Sequence, residues 1–139
     1  MKIYFAGSIT GGRQNVDNYK IIVDFLSKYG DVLTKHVADK CLSSTGEDLT
    51  PSEVYQRDIN WLKESDVLIA EVSTPSLGVG YEIGYAEKLN KKIICAYEKN
   101  KNISFMIKGN NNIKIVQYNT INELLEKLEK ELIKWKINY

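Results

Sequence analysis

The chain has 139 residues, 43% of them apolar, and sets 19 basic side chains against 18 acidic ones for a formal net charge of +1. That length fits one domain with a proper core and is too short for two. So even a charge balance argues against a nucleic-acid polymer as partner, and no apolar run approaches the roughly 18 residues of a membrane span.

KIYFA (2–6) reads as a first strand that starts straight after Met1, without a leader pattern, so a cytoplasmic protein is expected. The turn GSITGGR (7–13) leads into a helical period over 15–29, with Gly30 placed to end it. DVLT (31–34) is a second strand, and 35–50 is a loop holding His36, the only histidine. Thr50-Pro51-Ser52-Glu53 is a capping box with proline at the first helical position, opening a helix over 51–64. DVLIAEV (66–72) is a third strand, followed by the turn STPSLGVG and a helix over 78–90 that Asn90 can end. KKIICAY (91–97) and IKIVQY (113–118) complete five strands, with a short helix between them over 103–109. A second box, Thr120-Ile121-Asn122-Glu123, opens an amphipathic helix over 120–136. Cys41 and Cys95 show no C-x-x-C or metal-ligand spacing and read as reduced thiols. Continuous apolar strands alternating with helices predict a five-stranded parallel sheet with helices on both faces, a flavodoxin-like or Rossmann-like sandwich. Such sheets bind ligands beyond the carboxyl ends of their strands, where the turns at 7–13, 35–50 and 73–80 gather.

In SLGVGYEIGYA (76–86) Glu82 is the only charge, so it is either a buried anomaly or a working group. Asp58 is the second anomaly: its neighbours at i±3 and i±4 are Val54, Tyr55, Trp61 and Leu62, an apolar and aromatic stripe. The plainer reading puts Asp58 at the stripe's edge, paired with Arg57 or Lys63 or exposed. Near a helix start, Glu82 suits an ionised nucleophile, whereas Asp58 against aromatic surface suits a proton donor. Two carboxylates so divided match retaining glycosyl transfer. Tyr4 could hold Glu82 by its hydroxyl, or simply pack in the core. The turn GSITGGR, with Ser8, Thr10 and Arg13, suits a phosphate monoester but lacks a P-loop ending, and it could equally be a tight turn that needs glycine. Gly78-x-Gly80-x-x-x-Gly84 has its third glycine one residue late for a dinucleotide fingerprint and follows the third strand.

The segments YFAGSITGGR (4–13), LTKHVA (33–38), QRDINWLKESDVLIAEV (56–72) and PSLGVGYEIGYA (75–86) together resemble the 2′-deoxynucleoside 5′-monophosphate N-glycosidases, a branch of the nucleoside 2-deoxyribosyltransferase superfamily. The resemblance runs from about residue 2 to residue 109. It implies cleavage of deoxynucleoside monophosphates to free base and 2-deoxyribose 5-phosphate, without cofactor or metal. Glu82 is then the nucleophile that forms a glycosyl intermediate, Asp58 helps to protonate the departing base, and Tyr4 bonds to Glu82. Ser8, Gly12, Arg13, Ser76 and Gly78 form the phosphate cradle, joined by Ser104 from a neighbouring subunit, so a homodimer is implied. Ile9 and His36 fall at the base and sugar pocket, with a purely structural role as the alternative for His36, and Leu42 and Leu49 in the loop 38–50 are expected to influence base choice. Thr10 stands where the family usually has arginine, which bears on phosphate affinity. A nucleoside deoxyribosyltransferase, a CMP-type ribonucleotide hydrolase and a non-catalytic nucleotide sensor are the alternatives.

Overall fold

A computed structural model describes residues 1–9, 15–42 and 47–137. In chain order the elements are β1 (Lys2–Ala6), α1 (Val16–Leu26), β2 (Asp31–Val32), a 3-10 turn (Lys35–Ala38), α2 (Pro51–Glu64), β3 (Val67–Glu71), α3 (Leu77–Lys88), β4 (Lys92–Glu98), α4 (Phe105–Lys108), β5 (Lys114–Tyr118) and α5 (Ile121–Ile137). The five strands form one parallel sheet in the order β2-β1-β3-β4-β5.

Strand periodicity sorts the core into two layers. Ile3, Phe5, Val67, Ile69, Ile94 and Ala96 point to one face, against Tyr19, Ile22 and Leu26 of α1 and Leu124, Leu128 and Leu132 of α5. Tyr4, Ala6, Leu68, Ala70, Ile93 and Cys95 point to the other, against Ile59 and Leu62 of α2 and Val79, Ile83 and Ala86 of α3. The predicted sandwich with helices on both faces is therefore the observed one. Because β1 lies between β2 and β3, the crossovers leave it in opposite directions, and the turns after β1 and β3 bracket a crevice at the carboxyl edge.

Most elements fall within two or three residues of their expected bounds, and the departures have local causes. The second strand is two residues long instead of four. The Thr34 hydroxyl accepts from the Phe5 N–H (2.9 Å) and donates to the Phe5 carbonyl (2.6 Å), so a side chain takes over from the ladder and the chain turns into the 3-10 segment. Helix α1 ends at Leu26, and Gly30 is not its cap. A Cβ at Gly30 would lie 2.2 Å from the Met1 carbonyl oxygen, so glycine is required by close approach to β1. Asn90, by contrast, does follow the end of α3 in the left-handed region, with φ 56°. At α2 the capping box is complete: Glu53 N–H donates to Thr50 Oγ1 (3.2 Å) and Thr50 N–H to Glu53 Oε2 (2.8 Å). At α5 the Glu123 carboxylate reaches one residue further back and accepts from Asn119 N–H (2.9 Å). Among the described residues, no helix is long and apolar enough to cross a membrane.

Candidate active site

Three elements on the same side of the sheet supply the predicted catalytic trio. Tyr4 is the middle residue of β1, and its phase along the strand aims it at α2 and α3. Its hydroxyl faces the Glu82 carboxylate as a hydrogen-bonding neighbour, and burial together with the Glu82 charge pushes its ionisation far up, so it stays protonated. Asp58 on α2 approaches the same carboxylate from the other helix, close enough that its charge acts on both Glu82 and Tyr4.

The ionisation of the two carboxylates departs from the sequence expectation. Glu82 was expected to stay ionised under the helix dipole, but it is the sixth residue of α3, beyond the turn where that dipole acts. Burial first, then the Asp58 charge, push its carboxyl up to about 8, against the lowering effect of the Tyr4 hydrogen bond. Asp58 is also raised by burial, but the Arg57 guanidinium opposes the shift. The stronger hold on a proton is thus at Glu82.

Arg57 is the residue that sequence reasoning undervalued, having entered only as a surface partner for Asp58. Asp58 pairs with Arg57, as the plainer reading had it, and it also faces Glu82. Arg57 Nε donates to Asp58 Oδ1 at 2.9 Å, and Nη2 lies 2.9 Å from the same oxygen. The guanidinium also holds Glu47 through both carboxylate oxygens, one bond of them 2.8 Å long. It lies 4.8 Å from the Trp61 ring centroid. Bidentate pairing pulls Glu47 below its usual range and keeps Arg57 charged. Glu47 belongs to the loop 35–50, whose lack of periodicity hid it. His36 joins this cluster: its Nε2 is 3.3 Å from Glu47 and 3.2 Å from Arg57 Nη2, and its ring is 5.6 Å from Trp61. It therefore stands behind Arg57 and does not line the cleft, which favours its supporting role over a base contact.

The cleft itself holds about 430 Å³. Gly7 and Ile9 from the turn after β1 form one wall, and Ser76 and Gly78 from the turn after β3 form another. Asp58 and Glu82 lie at its floor, while Leu49, Val54, Tyr55 and Tyr81 supply apolar and aromatic surface. Leu49 lines it as expected; Leu42 does not. Ser76 caps α3, its hydroxyl oxygen accepting from Val79 N–H (3.3 Å), which leaves the O–H able to donate. At Gly78 a Cβ would meet only the Ser76 hydroxyl, at 3.9 Å, so the space left by glycine opens into the cleft.

Other residues of the expected cradle are placed differently. Ser8 is fully buried beneath the cleft wall, and its N–H donates to the Tyr19 hydroxyl (2.9 Å). Its amide is thus engaged within the protein, whereas the sequence reading had offered it to a ligand. Ser104 caps α4 and lines a neighbouring hollow of about 670 Å³ that also touches Ser76. It does not line the cleft of its own chain. Thr10, Gly12 and Arg13 lie outside the described residues. Among the described residues no group of three His, Cys, Asp or Glu side chains is placed to hold a metal ion.

A tyrosine-steered carboxylate facing a second carboxylate, in a cleft at the switch point of a parallel sheet, is the equipment of a glycosyl-transfer enzyme. Residues 3–128 match the nucleoside 2-deoxyribosyltransferase family, and the chain belongs to it. It is 51% identical over 114 residues to the 5-hydroxymethyl-dUMP N-hydrolase of Esox lucius, a match covering 78% of this chain and 79% of that protein. Among solved structures it is similar to the Clostridium botulinum CMP N-glycosidase BcmB, with a TM-score of 0.69, 25% identity, and 93% of this chain and 99% of that one covered. The solution structure of BlsM shares the fold at a TM-score of 0.77 and 20% identity, covering 99% of this chain and 94% of that one. The family expected from the sequence motifs is the family found.

Proposed function

We propose that the chain hydrolyses the N-glycosidic bond of 2′-deoxynucleoside 5′-monophosphates to free base and 2-deoxyribose 5-phosphate. The observation that carries this reading is the meeting of Asp58 and Glu82 in one cleft, with Tyr4 buried against Glu82, within a family whose relatives include N-hydrolases of deoxynucleotides. The Glu82 carboxylate attacks C1′ of the sugar, and the bond from C1′ to the base nitrogen breaks with its electron pair going to the base. Asp58 gives the base nitrogen a proton, and water then hydrolyses the glycosyl ester on Glu82. Between them the two carboxylates share one proton, and chemistry requires it on Asp58 while Glu82 is ionised. Base departure proceeds through an oxocarbenium-like state, which a 2-deoxy sugar forms readily because it lacks the destabilising hydroxyl.

The 5′-phosphate is proposed to rest at the amino end of α3, against the Ser76 hydroxyl and the space beside Gly78, where helix dipole and N–H groups favour an anion. Ser104 of a second copy completes the cradle in a homodimer. Support for that arrangement comes from the apolar surface around Ser104 and Ser76, where Leu77, Phe105 and Met106 are 97%, 87% and 83% exposed. A cytoplasmic location belongs to the same proposal. A second reading, hydrolysis of ribonucleoside monophosphates, is favoured by the likeness to a CMP N-glycosidase.

Chromatography after incubation with 5-hydroxymethyl-dUMP, dGMP, dCMP, dUMP, dTMP, CMP and deoxyguanosine separates these readings. Free base from a deoxynucleotide, absent with deoxyguanosine and abolished by Glu82→Ala, is the expected result. Release from CMP alone would move the assignment to the ribonucleotide reading. Release from deoxyguanosine would point to the transferase branch.

A further inference from the structure

The mechanism leaves one buried carboxylate unused. Glu71, the last residue of β3, is 1% exposed and lies outside the cleft lining. An isolated charge in such a position costs several kcal/mol unless it is fully hydrogen-bonded. Glu71 meets that condition with groups from both cleft-forming turns. Its Oε1 accepts from the Ser73 N–H (3.0 Å) and from the Ser73 hydroxyl, and its Oε2 accepts from Asn15 Nδ2 (3.1 Å). Ser73 Oγ in turn accepts from the Glu98 N–H (2.8 Å), which fastens the cluster to the end of β4. Asn15 stands at the start of α1, where the turn after β1 ends. Ser73 precedes Ser76 by three residues in the turn after β3. One carboxylate thus spans the two turns whose Gly7–Ile9 and Ser76–Gly78 segments face each other across the cleft.

We infer that Glu71 is a positioning residue for phosphate recognition: it fixes the separation of the two turns without touching the substrate. The inference rests on reading the amino end of α3, which follows the second of these turns, as the seat of the 5′-phosphate. It also accounts for a carboxylate where an aliphatic side chain would fill the same space with no polar group to satisfy.

The polarity of the link supplies the test. In Glu71→Gln one oxygen remains for Ser73, and the Asn15 amide can turn over so that its Oδ1 accepts from the new N–H₂, which keeps the link. In Asn15→Asp two carboxylates face each other and the link is lost. Combining the two lets the Gln amide donate to the Asp carboxylate and restores the link with its direction reversed and the total charge unchanged. With 5-hydroxymethyl-dUMP as substrate, Asn15→Asp is expected to raise KM about tenfold with kcat changed less than about threefold, the weight of one lost hydrogen bond, whereas Glu71→Gln should keep KM within about threefold of the wild type. Inhibition by inorganic phosphate should weaken in parallel, and the double variant should return KM to within about threefold of the wild type. Unchanged KM in Asn15→Asp, or a double variant no better than Asn15→Asp, overturns the inference. A wild type that hydrolyses several deoxynucleotides and is indifferent to phosphate overturns the reading of the cradle instead, and is seen before any variant is made. Should Asn15→Asp fail to fold, Asn15→Ala at the half-buried start of α1 carries the same KM expectation and decides alone.

Discussion

The Tyr4 hydroxyl is the only group described here that both steers Glu82 and lowers its hold on a proton. Tyr4→Phe is therefore expected to reduce kcat about tenfold to a hundredfold, the range for a hydrogen bond to a charged group. It should also move the alkaline limb of the kcat/KM profile upward. In the wild type that limb is expected near 8, where the pair of carboxylates loses its shared proton. The same proton governs stability. Glu82 holds it in the folded chain up to about 8 but releases it from about 4.5 when unfolded, so the folded state binds more protons within that window. Stability contributed by this group is full below the lower value and falls as pH rises toward the upper one. Glu82→Gln should flatten that fall, as thermal melts from pH 5 to 8 will register. These residues were legible in the sequence because each broke a pattern: a lone charge among glycines, a carboxylate in an aromatic stripe. Arg57 and Glu47 broke none. A charged residue beside Asp58 on a solvated helix, and another in an aperiodic loop, acquire their meaning only when the fold brings Glu47 and Asp58 to one guanidinium.

Helix α2 is the element on which the site most depends, since it carries both Asp58 and Arg57, and its start is secured by the reciprocal bonds of Thr50 and Glu53. Thr50→Ala is expected to cost about 1 kcal/mol and to lower Tm by about 3 °C, measurable by calorimetry, with the pocket chemistry intact at low temperature. Elements of this kind were readable because their signals are local: a capping box, an apolar period, an Asn in the left-handed region. Where an element's end is set by a distant group, local reading failed. The second strand stops because Thr34 bonds to Phe5 across the sheet, and Gly30 is fixed by Met1 rather than by the helix before it. Ser8 illustrates the same limit, since nothing in GSITGGR announces that Tyr19, eleven residues on, will occupy its amide.

At the scale of the molecule, the cleft is built from parts distant in sequence, because Tyr4, Asp58 and Glu82 meet only when β1, α2 and α3 are all in place. The proposed dimer extends that dependence to a second chain. Light scattering is expected to give twice the 15.9 kDa chain mass, and Leu77→Glu with Phe105→Glu should halve it and depress activity together. A chain mass for the wild type would remove Ser104 from the cradle. Burial also gives this protein a clock of its own. The Cys95 thiol sits within β4 at 0% exposure with its ionisation pushed up to about 12, whereas Cys41 is exposed. An alkylating reagent should therefore modify one sulfur at once and the second only as often as the sheet opens. The slow phase of labelling, followed by mass spectrometry, would count those openings in the native protein without denaturant, and ligands that close the cleft should lengthen it.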